Sequence, residues 1–481
     1  MHDWIVWGTI LAIVDVVFAG AVTVHAVLWK RDSRAVIAWV GLAWLAPLAG
    51  CVAYFCFGVN RIQRKAEKLG LRNAISSNHQ NPADMNEVDA TKVAADEFPD
   101  FAGLTRAGQR LVGHRLVPGN QIDPLLNGDM AFPAMLESIR SAKTSISLLS
   151  YIFDCDRIGD QFLEALSIAK KRGVQIRVLI DGVGAKYSRP TMLRRLAALE
   201  IPCAAFLPTK IPRLPTTANL RNHRKILVVD GKIGFTGGTN IRECHCLNLE
   251  PPNPTQCLHF RLQGPIVEQL QRVFVRDWSF TTNESLAGDE WFPQLQQQGD
   301  IWARGVEDGP DDNFEKLSDL ITAALASAKR RCCIFTPYFL PSSSLVTALN
   351  VASLRGVSVE IYLPSTNNIP LVHWAATAQM WQILEKGCRV FYTDPPFDHT
   401  KLMVVDETWA LIGSTNWDPR SLRLNFEFNV ECYSASFAKV LNQIVAEKIT
   451  NAKEVTLADV NARGIFVRLR DGLSRLLTPY L

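Results

Sequence analysis

One stretch of this chain occurs twice, and the repeat constrains the fold more than any other feature. Residues 221–241 read RNHRKILVVDGKIGFTGGTNI, and residues 397–417 read FDHTKLMVVDETWALIGSTNW. Each copy places a Lys two residues after a His, then an Asp, then an Asn after a turn of small residues. The copies are offset by 176 positions throughout (399 − 223 and 416 − 240). A repeat of this kind predicts two domains of the same fold.

The elements that precede each motif also repeat. Segments with helical spacing alternate with short apolar strands before both copies, and each motif then enters a strand, KILVVDG or KLMVVDE. This order is typical of an α/β fold in which helices cover a sheet. It predicts a first domain over residues 113–288 and a second over 289–450.

Within each motif, the His and the Lys are expected to act together. Residues two apart in an extended chain point to the same face, so His223 lies beside Lys225 and His399 lies beside Lys401. Two such half-sites, joined across a pseudo-two-fold axis, would form one pocket. The predicted phosphate-binding side chains of that pocket are Lys225, Lys401, Asn240, Asn416 and Ser414.

This set of side chains suits a phosphodiester. A neutral imidazole can attack phosphorus while the second, protonated imidazole donates to the leaving oxygen. The ammonium and amide groups supply donors to the non-bridging oxygens. Because these groups already compensate the developing charge, the sequence predicts an enzyme that needs neither a metal nor another cofactor.

The N-terminal region is apolar and long. Residues 4–29 and 35–59 are each long enough to cross a hydrocarbon layer of about 30 Å as a helix, which predicts a transmembrane helical hairpin over residues 1–60. Two buried core helices are the alternative. More basic residues follow the second stretch than lie between the two, and this favours a multi-pass protein with cytoplasmic catalytic domains.

Two other segments flank the repeats. Residues 61–112 are polar and predict a linker with one helix near 105–111. Residues 451–481 alternate apolar residues with Arg463, Arg468, Arg470 and Arg475. Such a basic amphipathic segment either lies on anionic lipid or docks on the protein's own surface, and the sequence leaves both open.

Charge and cysteine content exclude some classes of protein. The net charge of +4 is too small to indicate a nucleic-acid partner. The eleven cysteines show no disulfide-framework spacing, which favours reduced thiols in the cytoplasm. Cys244, Cys246, Cys257 and His259 leave a zinc site open as an alternative, although a C-x-C pair is not the usual zinc-knuckle spacing. The oligomeric state is open, with a homo-oligomer as one alternative.

The pattern H-x-K-x4-D followed by G-[GS]-x-N, present twice, resembles the phospholipase D superfamily. The stretches APLAGCVAYFCFG, TPYFLPSSSL and LSRLLTPYL further resemble the membrane-anchored bacterial cardiolipin synthases. The resemblance implies two tandem phospholipase D-like α/β sandwich domains that form a pseudo-two-fold pair. It also implies an inner-membrane phosphatidyltransferase that joins two phosphatidylglycerol molecules through a phosphohistidine and releases glycerol. A phospholipase D-type phosphodiester hydrolase is the alternative.

The resemblance assigns roles to individual residues. His223 would be the nucleophile and His399 the acid/base, while Asp230 and Asp406 complete the catalytic motifs and brace them. Glu427 would orient the motif histidine, which we expect to be His399.

The chain departs from the family pattern in its first half. Cys257 stands about where the family carries an Asp, and this leaves the carboxylate partner of His223 unassigned. Glu250 and Glu243 are the candidates to replace it.

Overall fold

The computed structural model describes residues 2–30, 33–46, 48–58, 87–208, 220–310 and 315–478. The chain divides into two compact units, Met1–Leu69 and Gly70–Leu481. The described part of the N-terminal unit forms helices α1 (His2–Trp29), α2 (Ser33–Leu45) and α3 (Ala49–Ala53). A π-helical turn, Tyr54–Gly58, follows the third.

Helices α1 and α2 pack on each other through small and aromatic residues. Ala26 and Ala43 are fully buried in this small core, the Trp44 indole donates to Thr23, and His25 Nδ1 lies 2.7 Å from the Tyr54 hydroxyl. Small residues allow two helices to approach closely.

Only the first of the two expected spans is a single long helix. Among the described residues, Val6–Trp29 is the one helix long and apolar enough to cross a membrane, with a mean hydropathy of 2.2. The second stretch breaks at Leu45, and Leu48 has a positive φ of 54°. The sequence has Pro47 at this point, and a proline cannot continue a helix. The structure therefore supports one span and does not support the multi-pass prediction.

The C-terminal unit is built on one long mixed sheet and a separate pair of short strands. Its strands are β1 (Val117–Leu126), β2 (Ser145–Ser150), β3 (Gln175–Asp181), β4 (Cys203–Phe206), β5 (Arg221–Asn222), β6 (Ile226–Val229), β7 (Ile233–Gly237), β8 (Thr255–Gln256), β9 (Leu258–Gln263), β10 (Ile301–Asp308), β11 (Arg331–Phe335), β12 (Ser358–Pro364), β13 (Arg389–Thr393), β14 (Phe397–Asp398), β15 (Leu402–Val405), β16 (Trp409–Gly413), β17 (Asn425–Tyr433) and β18 (Lys453–Val455).

The helices of this unit cover the sheet and its ends. They are α4 (Glu87–Glu97), α5 (Ala102–Leu111), α6 (Asn127–Ser141), α7 (Arg157–Lys171), α8 (Met192–Ala198), α9 (Ile266–Thr282), α10 (Lys316–Ser327), α11 (Ser343–Leu354), α12 (Pro370–Gln379), α13 (Trp381–Leu384), α14 (Pro419–Arg423), α15 (Ala435–Lys448), α16 (Leu457–Asn461) and α17 (Ile465–Leu476).

The strand order shows the internal repeat. From the centre outward, the first half runs β1-β9-β7-β6-β2-β3-β4, and the second runs β10-β17-β16-β15-β11-β12-β13 with β18 at its edge. Strands β1 and β10 join the halves by antiparallel pairing. Each half has its own apolar core, one around Phe162 and Ile180 and the other around Leu320 and Ile361.

Two short strand pairs cross between the halves. Strand β5, just before His223, pairs in parallel with the start of β17. Strand β14, just before His399, pairs in parallel with β8 of the first half. As a result, the His223 amide donates to the Phe426 carbonyl at 2.9 Å, and the His399 amide donates to the Gln256 carbonyl at 2.8 Å. These equivalent contacts fix both motifs at one seam.

The predicted linker is partly structured. Residues 59–86, which include the first half of it, lie outside the described residues. Helices α4 and α5 extend the helix expected near 105–111, and Ala94, Phe101 and Leu104 are buried in the core of the second half. The boundary predicted between the two repeat domains at residues 288 and 289 stays a prediction, because both halves lie in one compact unit.

Candidate active site

Both motifs use the same local structure. Each His and Lys precedes the first strand of a β-hairpin, β6–β7 or β15–β16, and each Asn follows the second strand. Strands β7 and β16 end at Gly237 (φ 146°) and Gly413 (φ 155°). A Cβ at Gly237 would lie 2.8 Å from His259, and one at Gly413 would lie 2.4 Å from Asn429, so both turns require glycine.

The hairpins bring the two histidines together. The ring centres of His223 and His399 are 6.4 Å apart, with the planes nearly perpendicular at 89°. Their sequence positions are 176 residues apart, so only the crossing of the two halves produces this pair. The separation allows both imidazoles to reach one phosphate group.

The carboxylate of Glu427 binds the first histidine and not the second. His223 Nδ1 lies 2.9 Å from Oε1 and 3.0 Å from Oε2 of Glu427, which is fully buried. The expectation that Glu427 orients His399 is therefore wrong. Because β5 pairs with β17, the carboxylate on β17 reaches the motif of the opposite half. Because this carboxylate is fully buried, it is not open to a ligand. Glu427 is therefore a positioning residue for His223.

His399 is held by a backbone carbonyl. Its Nδ1 lies 3.1 Å from the Gly238 carbonyl oxygen, so Nδ1 carries the proton and Nε2 is free to accept one. In the pseudo-symmetric arrangement, the residue after Gln256 corresponds to the residue after Phe426, and Cys257 therefore occupies the place of Glu427. The Cys257 thiol is fully buried and lies 3.5 Å from the His399 carbonyl oxygen.

Neither candidate carboxylate of the first half replaces this partner. Glu243 pairs with Arg157 at 2.5 Å on the surface. Glu250 is exposed and left-handed, with φ 47°. The Glu427 carboxylate is the partner of His223 Nδ1, whereas the Gly238 carbonyl is the partner of His399 Nδ1.

The two motif lysines occupy equivalent, almost fully buried positions. Lys225 Nζ donates to the His223 carbonyl at 2.6 Å, and Lys401 Nζ donates to the His399 carbonyl at 2.6 Å. Burial lowers the pKa of Lys225 to about 7 and that of Lys401 to about 8, because an ammonium loses its hydration there. A bound anion would compensate both charges.

The other predicted phosphate-binding residues are divided. Asn240 and Asn416 lie at the seam, and the Asn416 side-chain oxygen has no hydrogen-bond partner among the residues that the structure describes. Asn416 Nδ2 donates to the Ser421 hydroxyl at 3.2 Å. Ser414 is fully buried; its hydroxyl donates to Glu427 Oε2 at 2.5 Å and accepts from the Phe428 amide at 3.1 Å. Ser414 thus supports the carboxylate of Glu427, and its hydroxyl proton is already used.

Asp230 and Asp406 lie at the far ends of the motif strands. The Asp230 carboxylate accepts from the amides of Lys143, Thr144 and Ser145. The Asp406 carboxylate accepts from the amides of residues 329, 330 and 331. Both carboxylates tie the motif hairpin to the loop before the neighbouring strand, which is the bracing position expected for them, away from the histidines.

The structure adds residues to the site that the sequence did not single out. The Tyr151 ring lies 5.2 Å from His223, and the Tyr338 ring lies 6.5 Å from His399. Both tyrosines follow the strand beside the motif strand, β2 or β11, and this shared position is the signal that could have found them. Arg224 is also buried; it donates to the Glu427 carbonyl at 3.1 Å and to Asp277 at 2.6 Å.

The cysteine and histidine cluster does not form a zinc site. Among the residues that the structure describes, no three His, Cys, Asp or Glu side chains converge as metal ligands. The His245 ring lies 6.4 Å from that of His399, next to the paired histidines.

Burial and the neighbouring charges favour neutral imidazoles. Burial lowers the pKa of His223 to about 4, and Glu427 acts in the opposite direction. Burial together with the Lys401 and Lys225 cations lowers the pKa of His399. Burial opposes ionisation of Glu427, but His223 and Lys225 hold its pKa below the ordinary value. His223 thus combines a free Nε2 lone pair with an ionised carboxylate at Nδ1, which is the arrangement of an activated nucleophile.

The sequence matches the family model described as cardiolipin synthase, PLD-like domain, over residues 135–278 and 321–449. These two matched ranges contain the two motifs. The chain belongs to this family. It is an enzyme of the phospholipase D superfamily, of the phosphatidyltransferase type.

Full-length relatives agree with the family assignment. The chain is 30% identical to the major cardiolipin synthase ClsA of Bacillus subtilis, over 94% of this chain and 95% of that protein. It is also 30% identical to a cardiolipin synthase of Geobacillus kaustophilus, over 98% of this chain and 95% of that protein.

A solved structure supports the fold alone. The phosphatidylserine synthase of Haemophilus influenzae aligns with a TM-score of 0.63 at 16% identity, over 79% of this chain and all of that one. The two tandem phospholipase D-like α/β domains predicted from the sequence are confirmed.

Proposed function

We propose that this protein is a cardiolipin synthase that transfers a phosphatidyl group from one phosphatidylglycerol molecule to another. The observation that carries the proposal is the paired site, in which His223 and His399 from separate halves face each other with two lysines beside them. The names of its full-length relatives support the choice of cardiolipin as product.

The first half-reaction would form a covalent intermediate. Nε2 of neutral His223 attacks the phosphorus of the first phosphatidylglycerol, and the bond from phosphorus to the headgroup glycerol oxygen breaks. His399, protonated when the anionic substrate is bound, gives its proton to that oxygen, and glycerol leaves. The carboxylate of Glu427 stabilises the positive charge that develops on the His223 ring.

The second half-reaction would reverse these roles for a new acceptor. The headgroup hydroxyl of a second phosphatidylglycerol attacks the phosphatidyl-His223, and His399 Nε2 takes the hydroxyl proton. The phosphorus–nitrogen bond breaks, cardiolipin is formed, and His223 returns to its neutral state. Lys225, Lys401 and the amide groups of Asn240 and Asn416 would hold the non-bridging oxygens in both steps.

Product analysis tests the function directly. The purified full-length protein is incubated in vesicles with phosphatidylglycerol alone, and the lipids are identified by mass spectrometry. We expect cardiolipin and glycerol in equal amounts. Phosphatidic acid as the only new lipid would instead indicate a hydrolase, and no turnover at all would contradict both reactions.

A further inference from the structure

The last helix of the chain presents an apolar face to solvent. Helix α17 packs on the protein through Asp471 and Ser474, which are buried, and the Asp471 carboxylate accepts from Arg463 and Arg470. Its opposite side consists of large apolar side chains that are 56–84% exposed: Ile465, Phe466, Leu469, Leu473 and Leu476. We call these five residues the docking face.

The exposed charged groups of helix α17 itself are basic. Arg468 and Arg475 are exposed on the same helix. The single acidic residue of the helix, Asp471, is buried and paired with two arginines. An apolar face bordered by exposed arginines is complementary to a lipid surface with negatively charged headgroups.

Contacts of helix α12 connect the helix that carries the docking face to the active site. The Arg470 guanidinium lies 4.4 Å from the centre of the Trp374 ring of α12. Asn368 lies just before α12 and accepts a hydrogen bond of 2.7 Å from the Tyr338 hydroxyl. The Tyr338 ring in turn lies 6.5 Å from that of His399. The docking face and the site are thus joined by one packed α12–α17 pair.

The surface between the docking face and the active site, which we call the rim, is also apolar. Ile369 and Leu371, at the start of α12, are 41% and 40% exposed. An apolar rim next to a phosphodiester site suits a substrate whose acyl chains stay in the bilayer while its headgroup enters the site.

We propose that the docking face inserts into the anionic lipid surface and holds the catalytic unit against the bilayer at the edge of its active site. This inference rests on the proposed function, since it gives the lipid substrate a path to His223 and His399. A second copy of the chain is the less favourable occupant, because a symmetric contact through this face would bring Arg468 and Arg475 of both copies together.

Photocrosslinking tests the contact without relying on activity. A p-benzoylphenylalanine replaces Phe466 in the full-length protein, which is reconstituted in vesicles of phosphatidylglycerol and phosphatidylcholine. The matched control carries the same group at Leu354, which is 69% exposed on α11. We expect lipid adducts at position 466, fewer in vesicles of phosphatidylcholine alone, and none at position 354. A protein–protein adduct at 466, or no lipid adduct there, would overturn the proposal.

Kinetics provide a second test. The variant Phe466→Asp/Leu469→Asp should lower the ratio of turnover in vesicles to turnover in detergent micelles about tenfold, because charged residues oppose insertion. Leu354→Asp should leave this ratio unchanged. An unchanged ratio in the double variant would contradict docking. Failure of the wild-type protein to make cardiolipin in either medium would contradict the proposed function, whereas the crosslinking result would still stand on its own.

Discussion

His223 and Glu427 are 204 positions apart in the sequence, yet the imidazole Nδ1 and a carboxylate oxygen lie 2.9 Å apart. The motif of one half is therefore completed by a carboxylate from the other half. The same exchange on the opposite side brings Cys257 and the Gly238 carbonyl to His399. The two half-sites share their geometry but differ in charge.

Removing the charge of Glu427 should impair catalysis with little change in substrate binding. Glu427→Gln keeps the size of the side chain but cannot stabilise a positive ring on His223, so we expect kcat to fall at least about 100-fold. Glu243→Gln is the control, because Glu243 is paired with Arg157 at the surface; its kcat should stay within about twofold. Wild-type kcat in a folded Glu427→Gln protein would exclude this role.

Adding a carboxylate at Cys257 should change the pH dependence of His399. An ionised Asp near an imidazole favours the protonated ring and raises its pKa. Because kcat falls when His399 loses its proton, that fall should move to higher pH in Cys257→Asp. Cys257→Asn, which is similar in size but neutral, should keep the wild-type profile. Thermal unfolding checks that both variants are folded. If two folded variants have the same pH profile of kcat, Cys257 is not the counterpart of Glu427.

The two histidines should be unequal in a labelling experiment. A substrate with a good leaving group needs no proton donor, so His399→Ala should still accumulate labelled phosphatidyl-enzyme, whereas His223→Ala should accumulate none. The labelled residue is identified by peptide mass spectrometry after rapid denaturation. Label on His399 in the His223→Ala protein would reverse the roles. A wild-type enzyme without label and with single-displacement kinetics would remove the covalent mechanism.

Replacing a motif lysine should stabilise the fold while it impairs the reaction. The folded-state pKa of Lys225 is about 7, against an ordinary value of 10.5, so the folded protein binds this proton more weakly than the unfolded chain. Lys225→Met should raise the free energy of unfolding by about 1–3 kcal/mol at pH 7. The gain should be complete below pH 7 and vanish as the pH approaches 10.5. Denaturant titrations at several pH values measure this, and a loss of stability at pH 7 would contradict it.

The same pKa predicts how substrate binding varies with pH. Above pH 7, Lys225 increasingly loses its charge before substrate binds, and the attraction for the phosphate anion weakens. We expect KM for phosphatidylglycerol to rise between about pH 7 and pH 9 in the wild type. In Lys225→Met the KM should be high throughout this range. A wild-type KM that is independent of pH would show that the lysine charge does not contribute to binding.

The motif aspartates should matter for stability more than for chemistry. Asp230→Asn keeps one acceptor oxygen but loses the charge that three backbone amides share. We expect a loss of about 1–3 kcal/mol in the free energy of unfolding, with kcat of the folded fraction changed less than about threefold. Asp406→Asn should behave alike, because its three amide contacts are equivalent. A 100-fold loss of kcat without loss of stability would place these carboxylates in the reaction itself.

The sequence by itself determined the repeat, the α/β class and the pairing of His with Lys, because these depend on local spacing and on the alternation of strand residues. It also located one membrane span, since length and hydropathy are properties of a single segment. It did not determine where the second apolar stretch breaks, although Pro47 marks the place. Helix α17 also needed the structure, because its sequence fits both docking on the protein and contact with lipid.

Only the tertiary structure decided which carboxylate serves which histidine. Glu427 follows His399 by 28 residues (427 − 399), and sequence proximity favoured that pair. Strand β17 instead pairs with β5 of the other half, so the side chain of Glu427 on β17 faces His223. The sequence predicts that the Ser414 hydroxyl binds phosphate, but in the structure this hydroxyl donates its proton to Glu427. Contacts of this kind depend on strand exchange between distant segments, and no local pattern in the chain specifies them.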